Sequence, residues 1–173
     1  MSERRVQRGV FLEMVTEEVT LPTGRTTTLD VIRHPGASAV LPFLSDDEIL
    51  LIRQYRYAVG GPIYEVPAGK LDSGEDPAAC ALRELEEETG YRAARCEPLA
   101  SIWTTPGFTD ERIHLFTARD LVRTSQQLDH DELIEIVPMP FDRALAMVWR
   151  GELGDAKSAL ALLHAARRTG RIQ

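Results

Sequence analysis

The sequence is poor in cysteine and contains no long apolar run. No segment approaches the roughly 18 consecutive apolar residues that a membrane-spanning helix needs. The N-terminal stretch 1–15 carries charge without the apolar core of a signal peptide. The two cysteines, Cys80 and Cys96, form neither a CxxC pair nor a disulfide framework. We therefore expect a cytoplasmic protein that has no membrane contact.

Positive charge and metal-binding histidine patterns are also scarce. The chain has 20 basic against 27 acidic residues and a formal net charge of −7. This balance argues against nucleic acid as a partner, because backbone phosphates require clustered Lys and Arg. The four histidines are scattered without a pair at helical spacing, so they indicate no zinc site. A chain of 173 residues with 43% apolar content suits one domain with a sizeable core.

Apolar periodicity and turn residues predict strands on both sides of a helix, followed by two further helices. The predicted strands are two segments within 10–33 around a turn at 21–24, then 37–44, 48–57, 63–66, 95–104, 112–118 and 133–137. The predicted helices are 76–90, 141–150 and 156–168. We expect 37–44 and 48–57 to pair as a hairpin. This order indicates an α+β domain with helices on the faces of a mixed sheet.

The most informative segment is GKLDSGEDPAACALRELEEETGY, residues 69–91. If it is helical from residue 76, Glu84, Glu87 and Glu88 lie at i, i+3 and i+4 and share one face. Three adjacent carboxylates repel one another unless a cation joins them. Oxygen-only ligation suits Mg²⁺ bound jointly by protein and phosphate. The alternative is a solvated, Glu-rich helix face, but a separate apolar stripe on the same helix favours the magnesium site.

This segment resembles the Nudix box, Gly-x5-Glu-x7-Arg-Glu-apolar-x-Glu-Glu-x-Gly-apolar. The matching residues are Gly69, Glu75, Arg83, Glu84, Leu85, Glu87, Glu88 and Gly90. The one departure is Tyr91, where the pattern usually has an aliphatic residue, and that position packs rather than reacts. The resemblance covers about residues 37–150 and implies an α/β/α sandwich around a mixed β-sheet. It also implies hydrolysis of a nucleoside diphosphate linked to another moiety.

The same resemblance implies a metal site. Two or more Mg²⁺ ions, with Mn²⁺ or Zn²⁺ as substitutes, are expected on the oxygen ligands Glu84, Glu87, Glu88 and the backbone carbonyl of Ala68. Arg83 is expected to pin a box carboxylate by ion pairing. Glu75 and Gly69 are expected to support the site structurally.

A second stretch, TTPGFTDE at 104–111, selects the branch of the family. Pro106 lies 16 residues after Gly90, where Nudix enzymes acting on ADP-ribose typically carry a proline, and the run resembles their loop. The segment YEVPAGK before the box resembles theirs as well. The SQPWPFP run of NADH-cleaving members and the extra motif of the coenzyme A branch are absent. Substrate contacts are therefore expected from Pro106, Gly107 and Phe108.

A catalytic base is expected from an acidic loop near residues 128–135. In ADP-ribose pyrophosphatases a Glu in a mobile loop approaches the attacking water. Glu132 matches that place best, Glu135 is the reserve, and the metal ligand Glu87 is the rival base. The alternative for this stretch is a solvated acidic loop.

Charged residues before the box are expected to bind the substrate. Arg56 is the candidate pyrophosphate clamp, because a guanidinium can bind phosphate oxygens through paired donors. Arg53 is a weaker candidate, since strand alternation places it on the opposite face. Glu65 and Glu111 are expected to hold ribose hydroxyls or outer-sphere waters.

These residues predict Mg²⁺-dependent hydrolysis of the ADP-ribose pyrophosphate to AMP and ribose 5-phosphate. Two alternatives stay open, which are cleavage of another nucleotide sugar such as GDP-mannose and a non-catalytic ADP-ribose sensor. Retention of all three box carboxylates weighs against the sensor.

Residues 1–36 are expected to form an N-terminal β extension ahead of a Nudix domain at 37–173. In nucleotide-sugar hydrolases of this family such an extra sheet often dimerises, sometimes by exchange between subunits. We therefore expect a homodimer. The alternative is an edge extension of one monomer's sheet.

Overall fold

The computed structural model describes residues 5–9 and 12–173, which contain ten strands and three α-helices. The strands are β1 (Arg5–Arg8), β2 (Glu13–Thr20), β3 (Thr26–Arg33), β4 (Ala37–Pro42), β5 (Glu48–Arg56), β6 (Gly61–Glu65), β7 (Ala68–Lys70), β8 (Tyr91–Trp103), β9 (Arg112–Arg123) and β10 (Ile134–Pro140). The helices are α1 (Pro77–Thr89), α2 (Phe141–Trp149) and α3 (Ala156–Arg168). All three predicted helices are present, and the α+β class is confirmed. The strands β1 and β7 lie outside the predicted segments, and β8 and β9 are longer than predicted.

The described strands form three sheets. The first has the order β1-β2-β3, and the second has the order β10-β5-β6; both are antiparallel. The third has the order β7-β4-β9-β8. It is mixed, because β4 runs parallel to β9 and antiparallel to β7.

The predicted hairpin between 37–44 and 48–57 is wrong, although both strands form. β4 lies in the mixed sheet and β5 in the second antiparallel sheet, with an isolated bridge between Phe43 and Ile49 where the chain passes from one to the other. β9 pairs along the whole of β4 and β7 pairs with its first half, so most of β4 is already paired with strands other than β5. Apolar runs of this kind indicate burial but not the pairing partner.

Helices cover both faces of the mixed sheet. On one face Val40 packs with Ala81 and Leu85 of α1. On the other face Leu41 belongs to the larger core cluster, which includes residues of α2 and α3 such as Leu162. The result is an α/β/α layering with α1 on one side and α2 and α3 on the other. In the described part of the chain, no helix combines the length and apolar character needed to cross a membrane.

Helix α1 is fixed at both ends by residues that suit its termini. The Asp76 carboxylate accepts hydrogen bonds from two backbone N–H groups of the first turn, at 3.0 and 3.2 Å. Pro77 occupies the first turn, where no intrahelical hydrogen bond is lost. Gly90 ends the helix with a left-handed φ of 66°. A Cβ at Gly90 would lie 2.9 Å from the backbone N of Gln126, so the close passage of the next loop also requires glycine.

The N-terminal sheet is mostly exposed, but its third strand joins the rest of the molecule. β2 and β3 pair on either side of the turn at 21–24, as predicted, and the predicted start at residue 10 falls outside the described ranges. At the end of β3 the Ile32 N–H donates to the Phe108 carbonyl at 2.7 Å. The Ile32 carbonyl accepts from the Thr109 hydroxyl at 3.0 Å. The sheet is thereby attached to the loop between β8 and β9, and its role in dimerisation stays a prediction.

Candidate active site

Two box carboxylates lie where α1 meets β7. Glu88 is 2% exposed, and its Oε2 accepts a hydrogen bond from the Ala68 N–H at 3.0 Å. Glu84 lies so close to Gly69 that a Cβ there would be 1.9 Å from the Glu84 Oε1. A glycine at this position therefore leaves the space that the Glu84 carboxylate occupies. The backbone of β7 and the carboxylates of α1 form one cluster.

Arg83 holds the outer side of this cluster. Its Nη1 donates to Glu84 Oε1 at 2.7 Å and to Glu87 Oε2 at 3.0 Å. Its Nε and Nη2 donate to the two carboxylate oxygens of Glu75, at 2.9 and 3.0 Å. These hydrogen bonds, with one from the Asp72 N–H, lower the pKa of Glu75 to about 2. Arg83 thus ties the loop before α1 to the carboxylates on the helix.

Glu84 carries a charge that its surroundings balance only in part. Burial raises the pKa of Glu84 above its ordinary value. The ion pair with Arg83 opposes this rise, whereas repulsion from Glu87 and Glu132 adds to it. The net direction is upward even with a guanidinium in contact.

Glu88 is less well compensated still. Burial raises its pKa well above the usual range, and repulsion from Glu84 and Glu132 raises it further. The Ala68 N–H and the positive charge of Arg56 act in the opposite direction but do not overcome these effects. Buried carboxylates that repel one another are typical of functional sites, and a cation relieves the repulsion.

The donor set of this cluster suits a hard divalent cation. It consists of carboxylate and backbone oxygens, which Mg²⁺ prefers, and Gly69 leaves room for one of the carboxylates. Within residues 5–9 and 12–173, no three acidic, imidazole or thiol side chains converge as ligands in their present orientations. One oxygen of Glu84 and one of Glu87 accept from Arg83, and one oxygen of Glu88 accepts from the Ala68 N–H. Each of these carboxylates therefore has a second oxygen that these hydrogen bonds leave for a cation.

The loop after β9 brings Glu132 within electrostatic range of the same carboxylates. This loop crosses the C-terminal end of α1, where two of its backbone N–H groups donate to the carbonyls of Glu87 and Gly90 at 2.8 and 2.7 Å. Glu132 is near enough to raise the pKa of both Glu84 and Glu88. Its own carboxylate accepts a hydrogen bond within the loop, at 2.9 Å. The fourth acidic group of the cluster therefore comes from a loop and not from the helix.

The two arginines of β5 point to opposite sides. Arg56 donates to both carboxylate oxygens of Glu65, from Nε at 2.7 Å and from Nη2 at 2.9 Å. Its charge also lowers the pKa of Glu88. Arg53 instead forms a surface pair with Glu135 at 3.5 Å. The fold brings Arg56 and Glu65 to the box carboxylates and places Arg53 with Glu135 elsewhere.

The loop between β8 and β9 contains the predicted substrate contacts Pro106, Gly107 and Phe108. Phe108 is 51% exposed. Glu111 ends the loop, and its oxygens lie 2.7 Å from the Thr104 hydroxyl and 3.4 Å from the His34 Nε2. No hydrogen bond or ion pair among the described residues joins this loop to the box carboxylates. The structure therefore does not bring these four residues into polar contact with the cluster.

Comparison with known proteins agrees with this geometry. The NUDIX domain family profile matches residues 32–161. The chain belongs to the Nudix family. A crystal structure described as an ADP compounds hydrolase superposes on this Nudix chain with a TM-score of 0.81, over 98% of this chain and 97% of the other, at 21% identity. That likeness shows the shared fold.

Several curated relatives match this Nudix protein along most of its length. A protein from Bacillus subtilis (strain 168) named ADP-ribose pyrophosphatase is 38% identical over 94% of this chain and 89% of its own. A protein from Bacillus methanolicus named methanol dehydrogenase activator is 40% identical over 89% of this chain and 84% of its own. A GDP-mannose pyrophosphatase from Cronobacter sakazakii (strain ATCC BAA-894) is 36% identical over 88% of this chain and 86% of its own.

Four residues outside the predicted site residues are notable in the structure, namely Gln54, Asp155, Lys157 and Ser158. Gln54 is buried, and its Oε1 has no hydrogen-bond partner within the described structure. Lys157 binds Glu65 across a separation of 92 residues, which no local spacing can reveal. Rarity is the one available hint, since Lys157 and Lys70 are the two lysines among 20 basic residues.

Proposed function

We propose that this Nudix protein hydrolyses the pyrophosphate of ADP-ribose to AMP and ribose 5-phosphate in a Mg²⁺-dependent reaction. The observation that carries the proposal is the similarity, along nearly the whole chain, to a protein named ADP-ribose pyrophosphatase. The buried carboxylate cluster between α1 and β7 provides the oxygen ligands that such chemistry needs.

The proposed metal ligands are oxygens of the box, namely Glu84, Glu87, Glu88 and the carbonyl of Ala68. Two or more Mg²⁺ ions, with Mn²⁺ or Zn²⁺ as substitutes, suit this set. When bound, such ions neutralise phosphate charge and lower the pKa of coordinated water. Gly69 supports the site by leaving space for a carboxylate, and Arg83 and Glu75 support it by joining loop and helix.

Glu132 is the proposed group that orients and deprotonates the attacking water. Its support is its position in a loop beside Glu84 and Glu88, where it affects the pKa of both. Glu87 is the rival base, because it lies on the same helix face. Glu135 is the weaker choice, since its carboxylate is turned to a surface arginine.

Arg56 is the proposed clamp on a pyrophosphate oxygen. Glu65 holds it through Nε and Nη2, and Nη1 has no hydrogen-bond partner among the described residues. The Arg56 side chain is 41% exposed, so an anion can approach it. Glu65 has both oxygens engaged and acts through Arg56 in this proposal. Weaker proposed substrate contacts are Glu111, Pro106, Gly107 and Phe108. Arg53 is the weakest of the proposed contacts, because its side chain pairs with Glu135 on the opposite face of β5.

We also propose a cytoplasmic homodimer that assembles through the N-terminal sheet. The sheet exposes apolar side chains, with Val6 at 41% and Met14 and Leu29 at 42% each. The two free thiols, Cys80 and Cys96, suit a reducing compartment. Light scattering is expected to give twice the chain mass of 19.3 kDa.

A second candidate activity is cleavage of another nucleotide sugar. It is favoured by the relative named GDP-mannose pyrophosphatase, which is 36% identical to this chain, against 38% for the ADP-ribose pyrophosphatase. The carboxylate cluster serves both candidates equally, because it contacts the pyrophosphate and not the sugar or base.

The test is product analysis. The purified protein is incubated with Mg²⁺ and either ADP-ribose, GDP-mannose, NADH or a diadenosine polyphosphate, and the products are separated by chromatography. AMP and ribose 5-phosphate should appear fastest from ADP-ribose and should vanish with EDTA. Fast cleavage of GDP-mannose with inert ADP-ribose would replace the first candidate by the second. Binding of ADP-ribose without any cleavage would assign the protein to the sensors.

A further inference from the structure

A mostly buried lysine lies behind the proposed clamp. The side chain of Lys157, in the first turn of α3, is 13% exposed. Its Nζ donates to Glu65 Oε2 and, at 3.0 Å, to Asp155 Oδ2. Burial of an ammonium group is unfavourable unless the charge is paired. Two carboxylates provide that pairing here.

The position of Lys157 on its helix is unfavourable in itself. It follows Asp155, the N-cap of α3, by two residues. A positive charge in the first turn of a helix is opposed by the helix dipole. The capping of α3 is provided by Asp155, which accepts from the Ser158 N–H at 3.0 Å. Helix stability alone therefore does not explain a lysine at this position.

Two cationic side chains bind the carboxylate of Glu65. Its side chain is 2% exposed, and it accepts from Arg56 through both oxygens and from Lys157 through Oε2. The three residues come from β5, β6 and α3, so the fold converges on this carboxylate from three directions. Because Lys157 also binds Glu65, the Glu65 side chain is not free to move together with Arg56 into another rotamer.

The charges of this network balance. Arg56 and Lys157 contribute two positive charges, and Glu65 and Asp155 contribute two negative ones. Without Lys157, the three remaining residues Arg56, Glu65 and Asp155 would together carry one net negative charge. An anionic substrate would then meet a weaker positive field and a less rigid guanidinium.

We propose that Lys157 is a positioning residue, which fixes Glu65 and through it the Arg56 guanidinium so that Nη1 is presented to a substrate phosphate. This inference rests on the proposed function only in taking a nucleotide pyrophosphate as the substrate. It does not depend on which sugar is attached.

The test compares Lys157→Met with Lys157→Arg. The Met variant removes the charge but keeps an unbranched chain, and KM should rise about tenfold while kcat stays within about twofold. The Arg variant keeps the charge and should restore most of the loss. The matched control is Arg95→Met, which removes one positive charge from a surface ion pair with Asp120. The side chains of Arg95 and Asp120 are 57% and 54% exposed. The control should leave both kinetic parameters unchanged.

A double-mutant cycle with Arg56→Gln separates positioning from general stability. If Lys157 acts through Arg56, the Met substitution should have almost no further effect on KM in the Arg56→Gln background. Full additivity of the two losses would overturn the proposal, as would an unchanged KM in the single variant. Lys157→Gln takes the place of the Met variant in the cycle if the latter fails to fold.

The cycle is run with whichever nucleotide sugar the wild type cleaves. If it cleaves none, the Kd of ADP-ribose from calorimetry replaces KM. Inert ADP-ribose would therefore overturn the proposed activity alone, whereas additivity would overturn the role of Lys157 alone.

Discussion

Glu65 and Glu88 are equally buried glutamates beside the same arginine, and their charges are treated in opposite ways. Glu65 is 1% exposed and Glu88 is 2% exposed. Burial raises the pKa of each, but two cations in contact with Glu65 overcome that effect and lower its pKa. At Glu88 two other carboxylates add to the effect of burial, and the pKa is raised.

The charged partners of the two glutamates, and not their exposure, therefore separate the two roles. The charge of Glu65 is already balanced by cationic side chains of the protein, so this carboxylate needs no further ligand and can hold Arg56 in place. A carboxylate surrounded by like charges is held at a cost in stability, which a bound cation would remove. Electrostatic repulsion of this kind in the metal-free protein is expected at a functional site, where residues are selected for activity at a cost in stability. This contrast supports the proposed roles of Glu65 in positioning and of Glu88 in metal binding.

The largest expected effect is on turnover when Glu88 is changed to Gln. This substitution removes one charge from the proposed metal ligands, so kcat should fall by about three decades at saturating Mg²⁺. Circular dichroism should show an unchanged fold. The control is Glu86→Gln, on the same helix but in a surface pair with Arg92, which should keep the wild-type rate. Wild-type turnover in the Glu88 variant would refute the assignment.

The next effect concerns stability and has opposite signs at the two glutamates. Glu65→Gln removes the buried negative charge that pairs with Arg56 and Lys157. The free energy of unfolding should therefore drop by about 3 kcal/mol. Glu88→Gln removes a poorly compensated buried charge and should raise it by about 1 kcal/mol in EDTA. Urea unfolding of both variants beside the wild type measures the two changes. Equal losses in both would remove the distinction between the roles.

The pH dependence of stability should also differ in sign. The folded-state pKa of Glu65 is lowered, so its contribution is present above the unfolded value near 4.5 and is lost as pH falls through the folded pKa. The folded-state pKa of Glu88 is raised, so the metal-free protein loses stability as pH rises from about 4.5 through that pKa. In EDTA, Glu65→Gln should therefore flatten the acid limb of the curve. Glu88→Gln should flatten the opposite limb.

The smallest expected effect is that of Arg53→Gln. Its pair with Glu135 is 3.5 Å long with side chains 44% and 67% exposed, and exposed pairs contribute about 0–1 kcal/mol. Stability should change by less than about 0.5 kcal/mol, and kcat/KM should stay within about twofold. Arg56→Gln, measured in parallel, should raise KM at least tenfold. A comparable rise in both variants would mean that the two faces of β5 both serve the substrate.

Much of the fold follows from local signals in the sequence. The ends of α1 were set by Asp76, Pro77 and Gly90, whose capping chemistry acts within a few residues. Strand pairing is a different matter, because β4 and β5 are both apolar and adjacent in sequence yet lie in separate sheets. Competition for the edges of β4 decides this, and it depends on β7 and β9 far along the chain.

The site residues also differ in whether local spacing or tertiary packing brings them together. The spacing of Glu84, Glu87 and Glu88 on one helix brings them together wherever the helix lies. The contact of Lys157 with Glu65 depends instead on how α3 packs, so no pattern in the sequence could predict it. The proximity of Glu132 to the box was predicted from the family resemblance alone, and not from the spacing of residues in the sequence.

The most direct test of the contrast between the two glutamates is the response of thermal stability to Mg²⁺. Tm is measured for the wild type, Glu65→Gln and Glu88→Gln in EDTA and in millimolar Mg²⁺. A ligand that binds the folded state raises Tm, so the wild type and the Glu65 variant should both gain stability and the Glu88 variant should gain little. A full Mg²⁺ response in the Glu88 variant, with loss of the response in the Glu65 variant, would contradict the account.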